Sequence, residues 1–181
     1  QSLGIPMSYG GPILGLMAVK KYLMRKMPGR IIGKTLDLNG KIGFVLTLQT
    51  REQHIRRENA TSNICTNQSL LALRAVIYMA LMGEKGLKNV VKLCYNKSHY
   101  AAKIITSLPN YNLLYDQSFF REFIIETNKS ANRIINYCSK NGISIQKPYG
   151  DKSDRKLLIS ITEKRSKKEI DKLYKTLKNY K

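Results

Sequence analysis

Arg51-Glu52-Gln53-His54-Ile55-Arg56-Arg57-Glu58-Asn59-Ala60-Thr61-Ser62-Asn63-Ile64-Cys65-Thr66-Asn67-Gln68 is the stretch on which the reading of the fold turns. Its first half is densely charged and its second half is small and polar, and an apolar helix pattern begins directly after it. Guanidinium groups beside a Thr61-Ser62-Asn63 turn at a helix start offer an anion hydroxyls and free backbone N–H groups. The same residues also suit a helix cap beside a solvated charge cluster, and local chemistry gives the two readings about equal weight. The helix that follows, over 67–82, is apolar on most faces, as expected of a segment packed on several sides, and Gly83 stops it.

Working outward toward the C-terminus, a helix is expected over 86–108, with Leu87, Val90, Val91, Cys94, Ala101, Ala102, Ile105 and Leu108 on one stripe. Past Pro109 the pattern changes to short strands at 111–115 and 119–127, a helix over 130–140 stopped by Gly142, and strands at 143–147 and 157–162. Ser166-Lys167-Lys168-Glu169 is a capping-box pattern opening a last helix with Ile170, Leu173, Tyr174 and Leu177 on one face. These elements predict a small α+β layer with helices on one side of the strands, and the break in character falls near residues 83–86.

Toward the N-terminus, residues 1–15 are rich in Gly and Pro, so their backbone is irregular and can approach a neighbour closely. Residues 14–19 read as a short buried strand, 20–27 as one or two helical turns ended by Pro28-Gly29, and Asn39-Gly40 as the turn of a β-hairpin joining 30–36 to 43–49. The chain opens at Gln1, and its first residues read like the middle of a domain, so a fragment is expected.

Apolar residues make up 43% of the 181 residues and charged ones 24%, which excludes a disordered or fibrous class. The formal charge of +20 would by itself suggest nucleic acid, an anionic membrane or an acidic protein. The basic residues are spread from Lys20 to Lys181 and no zinc-finger or RNA-recognition signature is present, so nucleic acid is set aside, and AT-rich coding remains an equal source of the lysines. Cys65, Cys94 and Cys138 have no paired-ligand spacing, so neither disulfides nor a zinc site is expected, and a reducing cytoplasm fits. The longest apolar run, 70–82, is interrupted by Arg74 and too short to span a bilayer, so no membrane role is expected. His54 sits among charges and His99 beside a polar helix face, and neither has metal-ligand company. No nucleophile with its base, and no phosphate-binding loop, can be read from spacing.

Gln1-Ser2-Leu3-Gly4-Ile5-Pro6-Met7-Ser8-Tyr9-Gly10-Gly11-Pro12, Arg25-Lys26-Met27-Pro28-Gly29-Arg30, Leu46-Thr47-Leu48-Gln49-Thr50-Arg51-Glu52-Gln53-His54-Ile55-Arg56-Arg57 and the stretch 60–68 resemble the P proteins of the glycine cleavage system. Within them the likeness is to subunit 1, the N-terminal-half subunit, of two-subunit glycine dehydrogenase (decarboxylating). It is weaker after Pro109 and resumes at Ile161-Thr162-Glu163-Lys164 and Glu169-Ile170-Asp171. The resemblance implies an α/β chain of the fold-type-I pyridoxal-phosphate (PLP) transferase class, here the C-terminal portion of the subunit. Residues 1–66 would be the C-terminal part of the large domain, 67–84 the connecting helix and 85–181 the small α+β domain.

The family decarboxylates glycine and transfers the aminomethyl group to the lipoyl group of the H protein. The resemblance implies a hetero-oligomer, two of each subunit, in which subunit 2 holds the cofactor covalently. Aligning the family's His-Lys-Thr-Phe-Thr-Ile-Pro-His-Gly-Gly segment on Ile5-Pro6 puts Gln1 at the Schiff-base lysine. Glutamine has no basic amine, so this copy of the site is degenerate and no catalytic residue is assigned to this chain. Thr61, Ser62 and Asn63 are expected to reach the phosphate of the PLP held by the partner subunit. Arg51, His54, Arg56 and Arg57 lie at the interface or the substrate entrance; ion pairing with Glu52 and Glu58 at the interface is favoured over contact with the glycine carboxylate or lipoyl arm. Asn59 replaces the family's usual lysine and Tyr149 a usual leucine. A scaffold subunit without a catalytic part is the alternative, and the positive charge has a second meaning as a face that steers an acidic H protein.

Overall fold

The computed structural model describes residues 3–7, 11–48, 53–60 and 68–180, with all their side chains except those of His54 and Arg56. The chain divides into two compact units, Gln1–Leu81 and Met82–Lys181.

In the first unit, a 3-10 helix Lys21–Lys26 ends before Pro28, as the sequence leads one to expect. Residues 14–19 form no strand; Leu16, Met17 and Val19 are exposed in irregular backbone, because a strand needs a pairing neighbour and the described residues supply none. Strands β1 (Ile31–Leu36) and β2 (Ile42–Thr47) make an antiparallel hairpin with Ile32 opposite Leu46, Lys34 opposite Phe44 and Leu36 opposite Ile42. Its loop is longer than an Asn-Gly turn alone: Asp37 Oδ1 accepts the backbone N–H groups of Asn39 and Lys41, each at 2.8 Å, and closes the loop from inside. A single turn of helix, α1 (Gln53–Arg56), runs into a 3-10 turn, Arg57–Asn59.

Helix α2 (Ser69–Thr106) spans 38 residues but is broken at Gly83, whose φ of 61° and ψ of −179° are not helical. That backbone region is reserved for glycine, so Gly83 ends one helix and starts the next, as its place in the apolar pattern suggested.

In the second unit, β3 (Tyr111–Leu113), β4 (Glu122–Thr127) and β5 (Lys156–Ser160) form an antiparallel sheet in the order β3-β4-β5. Phe123, Ile125, Leu157 and Ile159 alternate inward from β4 and β5. They meet Ala101, Ala102 and Ile105 of α2, Ile134 and Cys138 of α3 (Ala131–Lys140), and Ile170, Leu173 and Leu177 of α4 (Lys167–Asn179). The expected strand over 143–147 shrinks to one bridge, Gln146 opposite Leu158. Ser130 caps α3 by accepting the N–H of Arg133, and the capping box of Ser166 and Glu169 is formed in full at α4.

Candidate functional site

Gln1, Arg51, Thr61, Ser62 and Asn63 lie outside the described residues, and so does Cys65. His54 and Arg56 are on α1, where only their backbone is described. Arg57 is exposed with a φ of 49°, a left-handed conformation uncommon for a side-chain-bearing residue, and it turns the chain out of α1 into the 3-10 turn. Among the described residues no ion pair joins Arg57 to Glu58.

The described parts that flank those residues do meet. Residues 3–7, which follow Gln1 in the sequence, lie against residues 74–78 of α2, which follow Thr61, Ser62 and Asn63 in the sequence. Arg74 Nε donates to the Gly4 carbonyl at 2.8 Å, and Ile5 is buried, as is Ala75 on the helix. Gly4, at φ 76°, lets the backbone pass so close that a Cβ there would stand 2.7 Å from Cβ of Tyr78. Any other residue at position 4 would force these segments apart. Sequence reasoning saw only that the glycine-rich start could approach a neighbour and that Arg74 interrupts an apolar run. The identity of the neighbour, Tyr78, is a tertiary fact with no local signal.

In the second unit Cys94, Cys138 and Tyr111 are packed into the core. Burial pushes the Cys138 thiol up to about 11 and the Tyr111 phenol up to about 12. Burial also raises Cys94, against the backbone N–H of Glu163 on its sulfur at 3.2 Å, which lowers it. Thiols held protonated and out of solvent are not nucleophiles. His99 Nε2 lies 3.0 Å from the Phe119 carbonyl, which only accepts, so this nitrogen carries the proton, and the ring stacks on Phe119 at 4.1 Å. Among the described residues no three His, Cys, Asp or Glu side chains group to hold a metal, and no helix is long and apolar enough to cross a membrane.

An open hollow of about 300 Å³ lies beside β4, with an apolar lining that includes Leu113, Phe119, Ile124 and Leu158, and with Tyr115, Gln117, Ser118 and Glu122 as polar groups. A phosphate-bearing aldehyde cofactor requires an amine for covalent attachment and cations, hydroxyls or N–H groups for its phosphate. This hollow has hydroxyl and amide groups in Tyr115, Ser118 and Gln117 but no amine for covalent attachment, and the Glu122 carboxylate opposes a phosphate, so it does not fit such a cofactor held covalently.

The fold is the fold-type-I arrangement also found in solved PLP-dependent enzymes. A C-DES variant described with glycine covalently linked to its PLP cofactor matches at a TM-score of 0.51 and 9% identity, over 81% of this chain and 36% of that one, which speaks for the fold alone. Within that class the chain belongs to the glycine cleavage system P-protein family, whose profile matches residues 1–177. A protein of Prosthecochloris aestuarii named probable glycine dehydrogenase (decarboxylating) subunit 1 is 49% identical over 177 residues, 98% of this chain and 40% of its own length. The crystal structure of a glycine decarboxylase (P-protein) in inhibitor-bound form matches with a TM-score of 0.85 and 35% identity, over 98% of this chain and 41% of that one. The chain therefore spans about two-fifths of the length of these relatives. The resemblance carried by the stretches around Gly4 and Arg51 is thereby borne out.

Proposed function

We propose that this chain is part of subunit 1 of a glycine dehydrogenase (decarboxylating), working in the cytoplasm with a second subunit that holds PLP covalently. The observation that carries the reading is the family match over residues 1–177 together with 49% identity to a relative named as that subunit. When bound, PLP supplies an electron sink for loss of the glycine carboxylate, and the lipoyl group of an H protein is the acceptor of the aminomethyl group. Residues 1–66 are read as the C-terminal part of the large domain, 67–84 as the connecting helix and 85–181 as the small domain.

This chain's own contribution is electrostatic and positional. Gln1 at the degenerate Schiff-base position supplies no amine, and the buried thiols supply no nucleophile. Thr61, Ser62 and Asn63 offer hydroxyl, amide and backbone N–H groups to the phosphate of the partner's cofactor, and the contact between Gly4 and residues 74–78 steadies the helix behind that turn. Arg51, His54, Arg56 and Arg57 are assigned to the interface with the partner, beside the path by which glycine enters.

The test is reconstitution of the full-length protein with subunit 2, PLP and lipoylated H protein, read as glycine–carbon dioxide exchange. Activity is expected only when both subunits are present. Thr61→Ala and Ser62→Ala are each expected to weaken PLP retention by about tenfold, the loss of one hydrogen bond to a charged group, with the complex still assembled. Unchanged PLP affinity in both variants removes the phosphate assignment, and a folded complex without exchange activity removes the function.

A further inference from the structure

The seam between Gly4 and α2 bears on this chain's own copy of the cofactor-lysine segment. Arg74 and Tyr78 are four residues apart and share a face of the helix, and Gly4 is held against that face. Arg74 Nε donates to the Gly4 carbonyl at 2.8 Å, while Ile5 is only 4% exposed and Ala75 2%. A Cβ on residue 4 would stand 2.7 Å from Cβ of Tyr78, 2.8 Å from its Cγ and 3.0 Å from its Cδ2. Turning the Tyr78 ring would relieve the last two contacts but not the first, because the helix backbone fixes where a Cβ lies. The φ of 76° at Gly4 is a second obstacle, since a β-branched residue is an outlier there.

The lysine-bearing segment His-Lys-Thr-Phe-Thr-Ile-Pro, set on Ile5-Pro6, has lysine at the place of Gln1 and threonine at the place of Gly4. Threonine carries a branched Cβ and cannot follow the Gly4 path past Tyr78. The two segments therefore run differently at a point three residues from the lysine position, within a reach of about 10 Å of chain. An amine that bonds the aldehyde carbon of a cofactor must be held in one place, and a backbone diverted so near to it carries the amine elsewhere.

We infer that the Gly4–Tyr78 seam closes this chain's copy of the cofactor site, so that a lysine restored at position 1 does not by itself restore covalent PLP. The inference rests on reading Gln1 as the degenerate Schiff-base position. It gives the copy two independent causes of silence, a missing amine and a diverted backbone. A single substitution at position 1 then cannot provide the two-subunit enzyme with a second, competing cofactor site.

The experiment uses the full-length chain without subunit 2, incubated with PLP and then borohydride. A lysine amine condenses with the aldehyde carbon and releases water, and hydride added to that carbon fixes the bond, so peptide mass mapping reads the label at each lysine. Gln1→Lys is expected to carry no more label at position 1 than the exposed Lys168 carries. Gln1→Lys combined with Gly4→Thr and Tyr78→Gly, which removes the obstructing Cβ and ring, is expected to carry about tenfold more label there than Gln1→Lys alone. Label at position 1 of Gln1→Lys well above that of Lys168, or equal label in the two variants, overturns the inference. The seam is also read without PLP, by a double-mutant cycle in urea. Gly4→Ala is expected to lower the urea midpoint, and to lower it by about half as much or less in a Tyr78→Gly background. Equal falls in the two backgrounds mean that residues 4 and 78 do not obstruct each other, and overturn the inference even where the triple variant does not fold. Stoichiometric label on a native lysine of the wild-type chain overturns instead the reading that subunit 2 holds the cofactor, and the cycle still decides the seam.

Discussion

The two units of this chain solve the same problem in opposite ways. Met82–Lys181 buries seventeen apolar residues around a three-stranded sheet and leaves six large ones exposed, whereas the described part of Gln1–Leu81 buries only Ile5 and Ala75 and exposes twenty. Apolar area removed from water is the main favourable term in folding, so the second unit carries its own stabilisation. Among its own described residues the first unit gains little of that term.

That contrast can be broken most directly by truncating one side chain in each unit. Ile134→Ala empties a fully buried site between α3 and the sheet and is expected to cost about 3 kcal/mol, read as a fall in the urea midpoint. Leu70→Ala, at a position 76% exposed on α2, is expected to stay within about 0.5 kcal/mol in the chain alone. Equal losses at the two positions would mean that the first unit holds a core of its own. Gly83→Ala comes next in size. No neighbour lies within 4 Å of the position a Cβ would take, so packing is not the obstacle and the backbone is. A φ of 61° with ψ near 180° admits glycine almost alone, and the expected loss is about 2 kcal/mol in the same urea measurement. No loss would mean that the chain passes from one unit to the other without needing this conformation.

The same contrast explains what was legible in the sequence. Elements of the second unit whose signals are local were readable: Ser166 and Glu169 announced the start of α4, Ser130 and Gly142 bracketed α3, and Cys94, Ala101, Ile105 and Leu108 marked the buried stripe of α2, although Val91, read onto the same stripe, is exposed. Gly83 was readable because a glycine inside an apolar helical pattern has few other uses. Failures came where pairing decides. Residues 14–19 look like a strand by composition, and residues 143–147 too, but a strand exists only where a neighbour offers hydrogen bonds, and position alone does not reveal that neighbour. Exposure of Phe44 and Leu46 was equally hidden, since alternation distinguishes two faces of a hairpin without saying which is covered. For the candidate site, the residue types of 51–68 left an anion site and a helix cap open together. The family resemblance, and not spacing, tilted that balance, and although the glycine-rich start signalled a close approach, nothing in the sequence named Tyr78 as the neighbour of Gly4.

The smallest expected effect sharpens the comparison through pH. Four carboxylates of Met82–Lys181 are held below their ordinary range: Asp171 chiefly by the Tyr100 hydroxyl at 2.6 Å, Asp154 by the Ser130 hydroxyl, Asp151 by the Ser153 hydroxyl, and Glu169 by the backbone N–H of Ser166. A carboxylate whose folded pKa lies below its unfolded one binds fewer protons folded than unfolded. Its contribution is therefore complete above the ordinary values of 3.8 for Asp and 4.5 for Glu, declines as the pH falls through them, and is gone below the folded values. The second unit is expected to hold a constant melting temperature down to about pH 5 and to lose stability progressively below it. Tyr100→Phe keeps the ring under the Lys167 ammonium and removes the hydroxyl that does most to depress Asp171. The variant should melt slightly lower than wild type at neutral pH, and the two curves should converge in acid, where Asp171 is protonated in both states. Parallel curves down to low pH would show that the Tyr100 hydroxyl does not distinguish the ionised carboxylate from the neutral acid, and the cohesion of this unit would then owe nothing to that pair beyond the packing of the ring.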